Sequence, residues 1–128
     1  MKLVPHSPTS GIYPATQDYV HAMEVQGPQR LLFVSGTMGL EQNGVAGATL
    51  ERQLELIWSN IAVILGSAGM TVDNIVRLTS YLRDPSYAEA NAAARVRALG
   101  GRLIPTTAIV AATLVEDWLV EIEVVAAA

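Results

Sequence analysis

The sequence predicts a single α+β domain over residues 1–128, with elements in the order ββαβαββ. Three observations carry this expectation. The chain ends on a stretch of period two, a long apolar stripe of helical period lies near its middle, and a second helix start, Asp84-Pro85, sits between two β-type runs. In the last stretch, residues 117–125, Trp118, Val120, Ile122 and Val124 fall on one face and Leu119, Glu121 and Glu123 on the other. The first set is a core face of β-formers. The second places two carboxylates on an otherwise apolar strand. Ionised groups beside a core need a partner, a wet face or a chemical task.

Taken in order, residues 1–18 carry Pro5, Pro8, Gly11 and Pro14 among small polar residues and read as an irregular arm. The runs 19–25 and 31–34 flank Gln26-Gly27-Pro28-Gln29, which is a hairpin signal. A polar loop with Gly39, Gly44 and Gly47 follows. Thr49 has the chemistry of an N-cap. Beyond it Leu50, Leu54, Ile57, Ile61 and Leu65 make one helical stripe that Gly69 terminates. Residues 75–82 read as a third strand. Asp84 as N-cap and Pro85 at the first helical position open an alanine-rich second helix, which Gly100-Gly101 ends. Residues 106–112 give a fourth strand and the terminal stretch a fifth. Two helices cover only one face of a sheet, and no segment remains for the other. That face is expected to close against a neighbouring copy.

Composition narrows the function. The chain is 51% hydrophobic and only 16% charged, with a mean hydropathy of +0.34, apolar enough to hide surface in an oligomer. A net charge of −4, a pI near 5.0 and scattered basic residues argue against nucleic-acid binding, which runs on clustered lysine and arginine. There is no cysteine for disulfides, thiolate chemistry or metal binding. His6-Ser7-Pro8-Thr9-Ser10 interrupts what would be the apolar part of a signal peptide, and no run reaches membrane-spanning length. A cytoplasmic protein with no membrane partner is expected.

High-specificity motifs are missing. Gly36-Thr37-Met38-Gly39 lacks the remaining glycine of a dinucleotide loop, no phosphate loop occurs, and His6 and His21 have no metal-ligand spacing with acids. No cofactor and no metal are expected. What remains is a set of polar residues at strand ends and on one helix: Tyr19, Ser35, Asn91, Thr106, Thr107, Glu121 and Glu123. Singly, each suits an ordinary strand end, wet helix position or solvated face.

Together, their order and spacing resemble the Rid family, also called YjgF or L-PSP. The resemblance covers roughly residues 19–127. It rests on Phe33-Val34-Ser35-Gly36, on the helix–strand unit 53–82 with its Gly-Met-Thr-Val-Asp-Asn-Ile-Val-Arg link, on Asp84 to Asn91, and on Val120-Glu121-Ile122-Glu123. It implies a chorismate-mutase-like fold, a homotrimer around a central barrel, and small-molecule clefts between subunits. The enzymatic branch hydrolyses reactive enamines or imines such as 2-aminoacrylate. In that branch a glutamate on the last strand positions water, a general acid–base role. An arginine on the fourth strand grips the substrate carboxylate. Carried over by resemblance, the glutamate is Glu121, with Glu123 structural. The pocket residues are Ser35, Gly36 and Asn91, and the tyrosine is Tyr19, with Tyr13 as competitor. The arginine position, two after Pro105, is Thr107, and a cysteine often found two residues later is Ile109. A charge-assisted contact is worth roughly 1.5–3 kcal/mol, about ten- to over a hundredfold in rate. Arg95, Arg97 and Arg102 are poorly placed to replace it. The expectation is a divergent member whose substrate lacks the α-carboxylate, or a trimer that binds ligand without turnover. Ribonuclease activity, sometimes assigned to the family, fits an acidic chain poorly.

Overall fold

The computed structural model describes residues 1–128. Its strands are β1 (Lys2–His6), β2 (Ala22–Gln26), β3 (Leu31–Met38), β4 (Ile75–Leu82), β5 (Thr106–Val110) and β6 (Val120–Ala127). Helix α1 (Leu50–Ser67) lies between β3 and β4, and α2 (Ala88–Ala98) between β4 and β5. The main sheet has the order β3-β6-β4-β5. Only β4 and β5 run parallel, with α2 as the crossover between them; the other pairs are antiparallel. The expected α+β class, with both helices on one face, is what the chain adopts.

Two expectations near the N-terminus need correction. The arm 1–18 is not wholly irregular, because Lys2–His6 forms β1, antiparallel to β2 with Lys2 opposite Gln26 and His6 opposite Ala22. Pro5 is tolerated there because β1 is an edge strand, where no ladder partner waits for the missing N–H. The hairpin expected between the runs 19–25 and 31–34 does not form either. The backbone N–H groups of Gln29 and Arg30 both donate to the Ala128 carbonyl, at 2.9 and 2.8 Å, which feeds the chain onto the end of β6 rather than back along β2. The element order is therefore βββαβαββ.

Helix α1 forms as its chemistry dictates. The Thr49 hydroxyl accepts from the Arg52 N–H at 3.1 Å, Glu51 sits in the positive first turn, and Gly69, at φ +68°, takes the left-handed position past the end. The stripe Leu54, Ile57, Ile61 and Leu65 is buried against Leu78 and Leu82 of β4 and Val120, Ile122 and Val124 of β6. Each side chain buried this fully contributes about 1.5–3 kcal/mol. Trp118, expected on the core face of the last strand, lies before β6 begins and is only half-buried; Ala126 extends that face at its other end.

The opposite face of the main sheet has no layer over it. Leu31 and Phe33 of β3, Arg77, Thr79 and Tyr81 of β4, Thr107 and Ile109 of β5, and Glu121, Glu123 and Val125 of β6 share it. Phe33 is 73% exposed, large for an aromatic ring on a sheet.

Candidate functional site

Glu121 stands on this uncovered face. Its neighbours across the ladder are Met38 on β3 and Tyr81 on β4. Between Val34–Val124 and Thr37–Ile122 the register slips, so Ser35 and Gly36 together oppose the single residue Glu123. This is a β-bulge, which bends its strand and re-aims nearby side chains. The Thr37 hydroxyl, 3.0 Å from the Ser35 carbonyl, ties the bulge down. Glu121 lays its carboxylate directly over Gly36, and any Cβ there would collide with it. The glycine is required by that close approach.

The two residues open onto a cleft of about 250 Å³. Tyr81 and Glu123 form its polar side with Glu121, while Ala111, Ala112, Thr113 and Leu114, from the segment after β5, form the opposite wall. The Tyr81 hydroxyl donates to Glu123 Oε1 at 2.6 Å. That bond, then burial, then the negative charges of Glu123 and Glu121 hold the phenol's pKa above its usual value, so it stays neutral across the physiological range. Arg83 donates to the Thr113 carbonyl and hydroxyl at 3.0 and 2.9 Å, and Thr113 Oγ1 lies 2.9 and 2.6 Å from the carbonyls of Val115 and Trp118. The outer wall is thereby pinned to the sheet.

The start of β6 is fixed from the core side. Gln53 of α1 is buried; its amide donates to the carbonyls of Gly47 and Asp117 at 2.9 and 2.8 Å and accepts from the Leu119 N–H at 2.9 Å. One helical side chain thus sets the entry of the strand that carries Glu121.

Of the residues singled out in the sequence, Glu121 and Gly36 come together, with Ser35 beside them in the bulge. The others lie elsewhere in the single chain. Asn91 is buried on α2, on the helix side of the sheet, and its Oδ1 has no hydrogen-bond partner. Tyr19 and Tyr13 both stack edge-on against His21, with ring centroids at 5.9 and 5.3 Å, and neither lines the cleft. Thr107 is on the open face but outside the cleft. It accepts from Arg77 Nη2 at 3.3 Å.

That last contact is one sequence reasoning missed. Arg95 is held by Asp18, through the backbone carbonyl at 2.6 Å and Oδ2 at 2.7 Å, and Arg102 donates to the carbonyls of Val72 and Ile75, both at 2.8 Å. The guanidinium that touches Thr107 comes instead from Arg77 on β4. Only the β4–β5 register, with Thr79 opposite Thr107, brings Arg77 beside it. No grouping of His, Asp and Glu side chains is arranged to hold a metal ion.

With this geometry in hand, known proteins identify the class. The family model described as Endoribonuclease L-PSP matches residues 11–128, and the chain belongs to that family, the Rid or YjgF family. A solved structure of a conserved Rid-family protein, YyfB from Yersinia pestis, superposes with a TM-score of 0.85 at 27% identity over 100% of both chains. Among curated relatives, the RutC family protein YjgH of Escherichia coli is 38% identical over 55 residues, 43% of this chain and 42% of that protein. A RutC family protein of Aquifex aeolicus is 36% identical over 67 residues, 52% of this chain and 51% of that one. The chain thus matches about half or less of the length of these two. No helix is long and apolar enough to cross a membrane.

Proposed function

We propose that this protein is a small-molecule enzyme acting on an enamine, imine or related unsaturated intermediate, with Glu121 positioning and activating the water that adds to the substrate carbon. The observation that carries the reading is the Glu121 carboxylate, seated over Gly36 in an open-face cleft with no cationic side chain lining it. A carboxylate so placed can accept a proton from water and return it to the departing nitrogen. Threonine in place of the arginine at position 107, with the Arg77 guanidinium held by that threonine, supports a substrate without the usual α-carboxylate. The working unit is a homotrimer whose subunits cover one another's open faces, supported by exposed Leu31, Phe33 and Ile109. Ser35, Thr107 and Tyr19 are then substrate-binding residues, the last two brought to the cleft by a neighbouring subunit, whereas Asn91, buried on the helix side of the sheet, does not reach it.

The test is release of ammonia from enamines and imines generated in solution. Glu121→Gln is expected to lower kcat by about 100-fold or more while leaving the melting temperature within a few degrees. Unchanged turnover in that variant would remove Glu121 from the reaction. Thr107 and Ile109, standing where the resemblance places an arginine and a cysteine, favour a second reading: a trimer that binds small ligands without turning them over. Saturable binding with no turnover across the same panel is the result that selects it.

A further inference from the structure

We propose that Tyr81 is a specificity-determining residue of this cleft, presenting its hydroxyl lone pair to an N–H group, so that the cleft selects a protonated nitrogen compound carrying no carboxylate. The inference rests on the reading of Glu121 as the water-positioning residue and concerns which molecule reaches it.

A phenol has one proton to give, and that of Tyr81 goes to Glu123 Oε1 at 2.6 Å. Bonds of this kind, neutral donor to carboxylate, are short and strong, so the hydroxyl does not turn freely to donate elsewhere. What it has left to offer is a lone pair. Thr113 is similarly committed, with Oγ1 2.9 and 2.6 Å from the carbonyls of Val115 and Trp118 and an Arg83 N–H donated to it at 2.9 Å. Glu121 and Glu123 are acceptors when ionised. Every polar side chain lining the cleft therefore accepts, and no Lys, Arg or His lines it; the guanidiniums beside it are Arg83, engaged by Thr113, and Arg77, engaged by Thr107. An incoming carboxylate would meet two like charges and no side-chain donor. A protonated amine or iminium would find two opposite charges and a fixed phenol oxygen, with Ala111, Ala112 and Leu114 against its hydrocarbon body. Glu123 becomes the residue that orients Tyr81 in place of a purely structural acid.

Three probes that differ by one group separate the possibilities: pyrrolidine, protonated at neutral pH; tetrahydrofuran, its neutral ether analogue; and proline, the same ring with a carboxylate. Each is titrated against the assembled protein at neutral pH by calorimetry or NMR. Pyrrolidine is expected to bind about tenfold or more tighter than the other two. Tyr81→Phe is expected to weaken pyrrolidine binding about three- to tenfold without changing tetrahydrofuran binding, since only the first uses the lone pair. Loss of packing would weaken both alike. Glu123→Gln, which keeps an acceptor for Tyr81 but removes a charge, is expected to narrow the gap between pyrrolidine and proline. Equal affinities for the three probes, no pyrrolidine binding at millimolar concentration, or a uniform loss in Tyr81→Phe would overturn the proposal. Because these readouts are affinities, they are independent of the turnover of Glu121→Gln. An unselective cleft in an enzyme that needs Glu121 overturns only the role of Tyr81, and a selective cleft in one that does not overturns only the role of Glu121.

Discussion

Gly36 and Glu121 occupy one another's space, and that fact makes a sharp prediction. A methyl group at position 36 meets the end of a flexible side chain, not backbone, so Gly36→Ala displaces the carboxylate more than it strains the strand. The variant is expected to melt within a few degrees of the parent yet to lose about 100-fold in turnover, the scale that a displacement of an ångström brings at a reacting group. Kinetics and thermal melts on the same preparation check it. Alternation beside a core placed Glu121 and Glu123 on one face and favoured a solvated reading of it; it was the family resemblance that singled out Glu121 of the two and paired it with Gly36. Tyr81 was not readable. Its significance depends on Glu123, 42 residues away on another strand, and one strand's period says nothing about the register of its partner.

Elements were more legible than their connections. The stripe and cap of α1, the limits of β4 and the Asp84-Pro85 start were all written locally, though residues 85–87 form a 3-10 turn before α2 proper begins. The pairing of β2 was not, because its partner is β1 and the residues after it, Gln29 and Arg30, are taken by Ala128 at the far end of the chain. Gln53 was hidden for a related reason, since a polar residue on a helix reads as solvated until its partners are known. Gln53→Leu leaves two carbonyls and an N–H unpaired beside the core. It is expected to lower unfolding stability by about 1–3 kcal/mol, read from the denaturant midpoint. The arm is held to α2 by Asp18, whose carboxyl lies below the ordinary aspartate range. The Thr16 hydroxyl is the largest cause, burial opposes it, and the Arg95 hydrogen bond and charge add to the lowering. A lowered folded value means that this stabilisation is complete above the unfolded-state pKa, about 4, and is lost as pH falls through the lower folded value. Asp18→Asn is therefore expected to melt below the parent at pH 7, with the gap closing toward pH 3. A gap independent of pH would contradict this account of the ion pair.

For the whole molecule, the governing feature is a four-stranded sheet covered on one side only, with its carboxylates and its most exposed aromatic ring on the other. The count of helices announced that asymmetry from the sequence, because two helices cannot cover two faces. What the sequence left open was which side chains the uncovered face would gather, a matter of strand order and of the bulge at Ser35–Gly36. The central claim is that Glu121 works in a crevice shared between subunits. A crystal structure of the assembled protein soaked with a small imine tests it most directly. The account predicts a trimer with the bound molecule within about 3 Å of the Glu121 carboxylate, beside Tyr81 and a neighbouring subunit. A Glu121 side chain facing bulk water, remote from both ligand and subunit contact, would contradict it.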